Sequence, residues 1–240
     1  MGSRLSFDVP LSNARPRERS RELRRLFGEI PHVVARSTLI LEASESRRQV
    51  ILLASGWASR ERLLSDGRRA IFDVYLPGDL IGVDHLCLAP APDNVVALTD
   101  LSYLVVDASR LKECFLQDPD IALYLMQRQA EEKRECEQHV MRLARLAATE
   151  RVILCLTRLC ERLRLRAGGD AVDRGTTALR VPLTQQLLAD YLGINIIHFN
   201  RILSALRNAG VVRTQNGTGG IVIADGERLC AMAASVGDLA

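Results

Sequence analysis

The chain has 240 residues, enough to bury one large core or two modest ones. At 48% hydrophobic and 25% charged it has the composition of an ordinary globular protein, and a formal charge of +3 is too small to diagnose nucleic-acid binding by itself. No apolar run approaches the ~20 residues of a membrane span and no signal peptide opens the chain, so a cytoplasmic protein is expected.

Residues 1 to about 30 interleave Arg15, Arg17, Arg19, Arg21, Arg24 and Arg25 with Glu18 and Glu22. Both a DNA-binding arm and a short solvated helix fit this pattern; the mixed signs favour the helix. From Val33 to Val106 the apolar runs TLIL, VILLASGWAS, RLL, AIFDVYL, VVAL and LSYLVV read as strands. Ser65-Asp66-Gly67 is a hairpin turn, and Leu76-Pro77-Gly78-Asp79-Leu80 breaks the next connection. Short strands at such regular spacing predict a small antiparallel barrel or roll.

Near Pro119 the apolar period becomes helical. Asp118 to about Ala147 makes a helix of about 43 Å at the standard rise, too long to lie wholly on a small roll. Its narrow stripe suits pairing with a second copy, which assigns Ile121, Leu125, Glu132, Cys136, His139, Val140, Leu143 and Leu146 to a dimer interface. A second helix starts at about Ala148, and a Gly- and Asp-rich loop, Ala167–Thr177, leads to the last element.

Leu183 to Ile223 reads as helix, tight turn, helix and two-stranded wing. Thr184 and Asn195 are candidate N-caps, and Gly193 supplies the left-handed residue of the turn. Leu187, Leu188, Tyr191 and Leu192 form one apolar stripe; Phe199, Ile202, Leu203 and Leu206 form another. The opposite face of the second helix is centred on Ile197, Arg201, Ser204 and Asn208, with Asn200 beside it. Gly210 ends that helix, and Asn216-Gly217 lies in the wing turn. This is the pattern of a winged helix-turn-helix, whose second helix enters the DNA major groove.

The order of elements, and the residues LPGDLIG, ATERVILCLTRLCERLR and LTQQLLADYLG with NRILSALRNAGVV, resemble the CRP/FNR family of bacterial transcription regulators. The stretch SGWASRERLLSDGRRAIFDVYLPGDLIG is most similar to its FixK-like, alphaproteobacterial members. The resemblance covers about residues 30 to 230. It implies an α+β fold: a cyclic-nucleotide-binding-like β-roll over residues 1–117, a dimerisation helix over 118–147 and a winged helix-turn-helix DNA-binding domain over 148–240. It further implies a homodimer on palindromic promoter DNA, with half-sites one helical turn (~34 Å) apart, and RNA polymerase as a possible partner; no membrane partner is expected.

Laid on the family's recognition helix, Arg201 takes the place of its arginine and Asn200 that of the preceding small residue. Ile197 stands where glutamate is usual, and His198 where threonine is common. Arginine pairs with guanine and asparagine with adenine, whereas Ile197 cannot accept from cytosine N4 and suits a thymine methyl. Ile197, His198, Asn200 and Arg201 are therefore the expected base readers. Thr184, Gln185, Ser204, Arg207, Arg213 and Thr214 are the expected backbone contacts.

Cyclic-AMP-binding members carry a glutamate after the turn glycine and an Arg-Ser or Arg-Thr pair further on. Here Val83 and Asp84 follow Gly82, and Ala89-Pro90-Ala91-Pro92 stands near the expected pair. Binding without cyclic AMP is expected, since the phosphate loses its bidentate partner. An N-terminal iron–sulfur cluster is not supported, because the first cysteine is Cys87. His85 and Cys87 fall near, but not at, the haem ligands of carbon-monoxide sensors. No cofactor is expected, and the effector, if one exists, has no signature.

The cysteines Cys87, Cys114, Cys136, Cys155, Cys160 and Cys230 include no CxxC pair and read as small buried hydrophobes. No metal-ligand cluster, phosphate loop or nucleophile–base pattern appears, and His32, His85, His139 and His198 lie apart. An enzyme is not expected.

Overall fold

The structure is a computed structural model that describes residues 25–28, 30–44, 48–87, 93–166, 178–214 and 220–236. The arginine-rich segment through residue 24, Ala89–Pro92, the loop Ala167–Thr177 and the Asn216-Gly217 turn lie outside the described residues.

Eight strands form the first unit: β1 (His32–Val34), β2 (Leu39–Leu41), β3 (Gln49–Ser55), β4 (Ala58–Leu63), β5 (Arg69–Tyr75), β6 (Leu80–Ile81), β7 (Asn94–Ala97) and β8 (Leu101–Asp107). They make two antiparallel sheets, ordered β1-β8-β3-β6 and β2-β7-β4-β5. Ile51, Leu53, Tyr75, Ile81, Val95 and Leu101 fill the space between the sheets. A roll is the result.

The run VILLASGWAS, read as one strand, is two. It breaks at Gly56, which adopts φ +78° and whose missing Cβ would lie 2.4 Å from Leu101 Cβ, so no other residue fits the turn. The hairpin at Ser65–Gly67 forms as expected, with the Leu64 N–H donating to Arg68 O at 2.8 Å. The LPGDL turn is held twice over. Gly78 N–H donates to Leu53 O at 2.7 Å, and the Asp79 carboxylate accepts from Leu76 N–H at 2.7 Å.

Three helices follow: α1 (Ala108–Gln117), α2 (Pro119–Arg145) and α3 (Ala148–Arg166). The short α1 was not anticipated from the sequence, where the apolar run LSYLVV hides its start. The long α2 begins where the period changed, with Asp118 accepting from Asp120 N–H at 3.0 Å and proline in the first turn. Its 27 residues span about 40 Å. Among the described residues no helix is long and apolar enough to cross a membrane.

The last elements are β9 (Leu179–Val181), α4 (Gln185–Tyr191), α5 (Ile196–Asn208), β10 (Val212–Thr214), β11 (Ile221–Ile223) and α6 (Gly226–Ala234). The wing corrects the two-stranded expectation. Its sheet has three strands, β10-β11-β9, because Leu179–Val181 pairs with Ile221–Ile223. Three residues before a proline carry too little periodicity to announce a strand.

Layering places the reader. One sheet of the roll is covered on its outer side by α1 and α2, through Val50, Leu104, Leu111 and Leu125. The other meets α3 and α4 in a continuous cluster, where Trp57, Ile71, Val74 and Leu76 join Leu156, Leu188 and Tyr191. Polar contacts sit at its margins. Arg162 of α3 donates to Val74 O at 3.0 Å and to Asp79 at 2.7 Å; Arg69 of β5 bonds Asp190 of α4 at 2.9 Å.

Asp79 is 5% exposed and faces Arg162, so removing its carboxylate leaves a guanidinium half-buried without its counter-ion. Asp79→Ala is expected to cost about 3–5 kcal/mol of unfolding free energy, read from urea denaturation. A loss within about 0.5 kcal/mol would place this carboxylate among inconsequential surface charges.

Candidate nucleic-acid interface

α4 and α5 meet through a turn that both caps define. Thr184 Oγ1 accepts from Leu187 N–H at 3.2 Å and Asn195 Oδ1 from Ile197 N–H at 2.8 Å, each satisfying an orphan donor of its helix. Gly193, at φ +59°, reverses the chain between them. Both apolar stripes are inside: Phe199, Ile202, Leu203 and Leu206 are each at most 5% exposed. Burying four such side chains fixes the helix's rotation, so the opposite face is presented outward without choice.

On that face Ile197, His198, Asn200 and Arg201 are all exposed, and Ile197 is 70% exposed. None of these four side chains has a hydrogen-bond partner among the described residues. α5 carries no carboxylate anywhere in its sequence, so Arg201 and Arg207 are uncompensated along it. Three of the expected backbone contacts form one cluster: Arg207 donates to Ser204 Oγ at 2.6 Å and to Thr214 Oγ1 at 3.5 Å, bridging α5 to β10. Arg213 is exposed on β10. Thr184 and Gln185 stand half-buried at the start of α4, the Thr184 oxygen already serving as the cap.

The residues assigned to a partner helix divide. Leu125, 3% exposed, packs into its own roll with Ile121 beside it and has no surface left for a second copy. Glu132 faces Arg60 of β4 at 3.7 Å, and His139 stacks on Tyr191 of α4 with ring centroids 4.3 Å apart. Cys136, Val140 and Leu143 are exposed, with Leu146 half-buried; Met126, 69% exposed, extends their stripe. The long helix therefore has one face for its own chain and one without an intrachain partner.

Sequence reasoning missed the arginines that seat the reader. Arg151 of α3 donates to Leu192 O at 2.8 Å at the end of α4, and Arg228 of α6 to Ala209 O at 2.7 Å at the end of α5. Nothing in the sequence separates these from solvated arginines. The expectation of six buried thiols holds for two: Cys155 and Cys160 are buried, Cys114 and Cys230 are half-buried, and Cys87 and Cys136 are exposed; burial pushes Cys155 up to about 11.

The roll cavity next to Gly82 is about 60 Å³ and is lined by Arg60, Tyr75, Val83, Asp84, Asp93 and Glu132. Its one guanidinium already faces Glu132, and the carboxylates beside it repel a phosphate. These residues do not fit a cyclic nucleotide.

Burial, reinforced by Arg158, holds the His139 imidazole below its ordinary value of 6.5. The folded chain thus favours the neutral ring, while the unfolded chain takes up the proton first as pH falls. This contribution is intact above about 6.5 and is lost as pH drops through the lowered folded value. Between about pH 8 and about pH 5 the thermal midpoint should fall further in the wild type than in His139→Phe, which keeps the stack without the proton. Parallel curves would contradict the assignment.

Residues 150–232 match the family model for the Crp-like helix-turn-helix domain, and residues 31–118 that for the cyclic nucleotide-binding domain. The nitrogen fixation regulation protein FixK of Bradyrhizobium diazoefficiens is 30% identical over 179 residues, 72% of this chain and 69% of that one. FixK of Rhizobium meliloti is 30% identical over 155 residues, and that match spans 63% of each chain. The solved structure of FixK2 from Bradyrhizobium japonicum superimposes with a TM-score of 0.72 at 28% identity, covering 84% of this chain and 96% of that one.

Proposed function

The chain belongs to the CRP/FNR family of DNA-binding transcription regulators, with FixK-like relatives, and on that premise we propose that it works as a homodimer reading a palindromic promoter site without cyclic AMP. The family is one of regulators, not enzymes, and its helix-turn-helix binds DNA sequence-specifically. The observation that carries the finer reading is the outward face of α5. Four side chains able to meet base edges stand there without intrachain partners, on a helix whose other face is wholly buried.

In this reading Arg201 pairs with a guanine and Asn200 with an adenine, while His198 lies at the groove edge. Ile197 packs on a thymine methyl where relatives carry a proton acceptor. The cluster Ser204, Arg207 and Thr214, with Arg213, Thr184 and Gln185, holds the phosphates and sets the register. The dimer seam runs along Met126, Cys136, Val140 and Leu143, whose spacings of ten, four and three residues keep one stripe of a paired helix. In this reading the regulator is a cytoplasmic protein that contacts RNA polymerase when bound at a promoter.

Selection from a random DNA pool tests the reading face. The selected half-site is expected to depart from the family's common one at the base pair facing Ile197; recovery of the common half-site unchanged rules this out. Arg201→Ala should lose about 1–3 kcal/mol of discrimination at a single base pair, with the melting temperature unmoved. A loss spread evenly over all sequences would mean that Arg201 holds a phosphate.

A Val140→Glu, Leu143→Glu double variant should sediment as a monomer and lose cooperative binding to the two-half-site operator. A dimer that persists in the double variant places the seam elsewhere.

A further inference from the structure

Beside the small roll cavity lies a larger one of about 300 Å³, walled by the roll, by α2 and by Arg162 of α3. Its size is that of a small-molecule site. Five carboxylates line it, those of Asp73, Asp79, Glu131, Glu132 and Glu135, against the guanidiniums of Arg128 and Arg162. Arg158 engages Glu135 and Arg60 faces Glu132, so the five carboxylates meet four guanidiniums and outnumber them by one. Burial pushes the carboxyls of both Asp73 and Glu132 upward, against the pull of the nearby arginines.

A second observation is independent of that charge. Tyr75 lines both cavities, is only 5% exposed, and its hydroxyl has no hydrogen-bond partner among the described residues. Burial pushes that hydroxyl up, and the charged groups acting on it, Arg60, Asp73, Glu132 and Asp84, all line one cavity or the other. A tyrosine hydroxyl on a cavity wall can donate to or accept from an occupant. Its ring also offers a face to a cation.

We propose that this cavity binds a small organic cation carrying amino groups, with one ammonium between Glu132 and Asp73 and in reach of the Tyr75 hydroxyl. The carboxylates are distributed around the walls; among the described residues no three or more acidic, histidine or cysteine side chains converge as metal ligands. An elongated amine matches such a distribution and a single metal ion does not. A phosphate-bearing ligand meets the wrong sign of charge. Since the walls come from the roll, α2 and α3 together, the occupant would touch α3, which also holds the end of α4 through Arg151. The proposal does not depend on which bases α5 selects.

Isothermal titration of the full chain with 1,4-diaminobutane and with spermidine tests it, with cyclic AMP and magnesium chloride in parallel. At least one amine should bind saturably, one per chain. Glu132→Gln and Tyr75→Phe should each weaken that binding about tenfold or more, because each removes a partner of a charged donor. Glu137→Gln, whose carboxylate pairs with Lys133 on exposed surface, should leave it unchanged. If Tyr75→Phe folds poorly by circular dichroism, the isosteric Glu132→Gln decides. The proposal is overturned if neither amine binds saturably, if all three variants bind as the wild type does, or if cyclic AMP or magnesium saturates the site and displaces the amine.

Discussion

The carboxylate of Asp79 sits where three parts of the molecule meet, and the rest of the arrangement depends on it. It closes its own turn by accepting from Leu76 N–H, and it faces Arg162 of α3 and Arg128 of α2. A buried ion pair contributes little net stability against apolar side chains of the same volume, because desolvation offsets its attraction. What it supplies is direction. Oil-like contact between Val74, Leu76 and Leu156 would tolerate sliding of α3 over the sheet; a bidentate guanidinium on Asp79 and Val74 O would not. The orientation of α3, and through it of the reader, is set from the roll.

Buried and exposed side chains are separated on α5 by rotation about its axis. Phe199, Ile202, Leu203 and Leu206 are interchangeable, within volume limits, with other core residues. Ile197, His198, Asn200 and Arg201 contribute almost nothing to folding and can change without unfolding the chain. A regulator family can therefore shift its operator by exchanging exposed residues on an unchanged scaffold. The apolar Ile197 at such a position is informative because it stands 70% exposed in the middle of a polar face.

The modest net charge conceals strong local contrast. α5 has arginines and no carboxylate, whereas the cavity beneath α2 has an excess of carboxylates. α3 touches both regions, with Arg151 on the end of α4 and Arg158 and Arg162 on Glu135 and Asp79. Charge of one sign is concentrated on α5 and of the other in the cavity, so a total of +3 says little about either.

By itself the sequence determined what local rules govern. Helical period placed α2 to within two residues of its observed end, and caps and glycines placed α4 and α5 with their buried and exposed faces. Gly67 and Gly78 marked their turns because few other residues adopt that backbone. β6 and β9 were too short to show a period, and α1 was hidden by the apolar strand that runs into it; these elements form because a neighbour pairs or covers them. Only the tertiary structure decided which arginines hold the reader and which face water, since one guanidinium looks like another until a carboxylate or a carbonyl arrives from distant sequence. It likewise turned Leu125, Glu132 and His139 toward their own chain, though their spacing suited a partner equally well. A helix stripe records that a face is covered; what covers it is settled by the contacts of the folded chain.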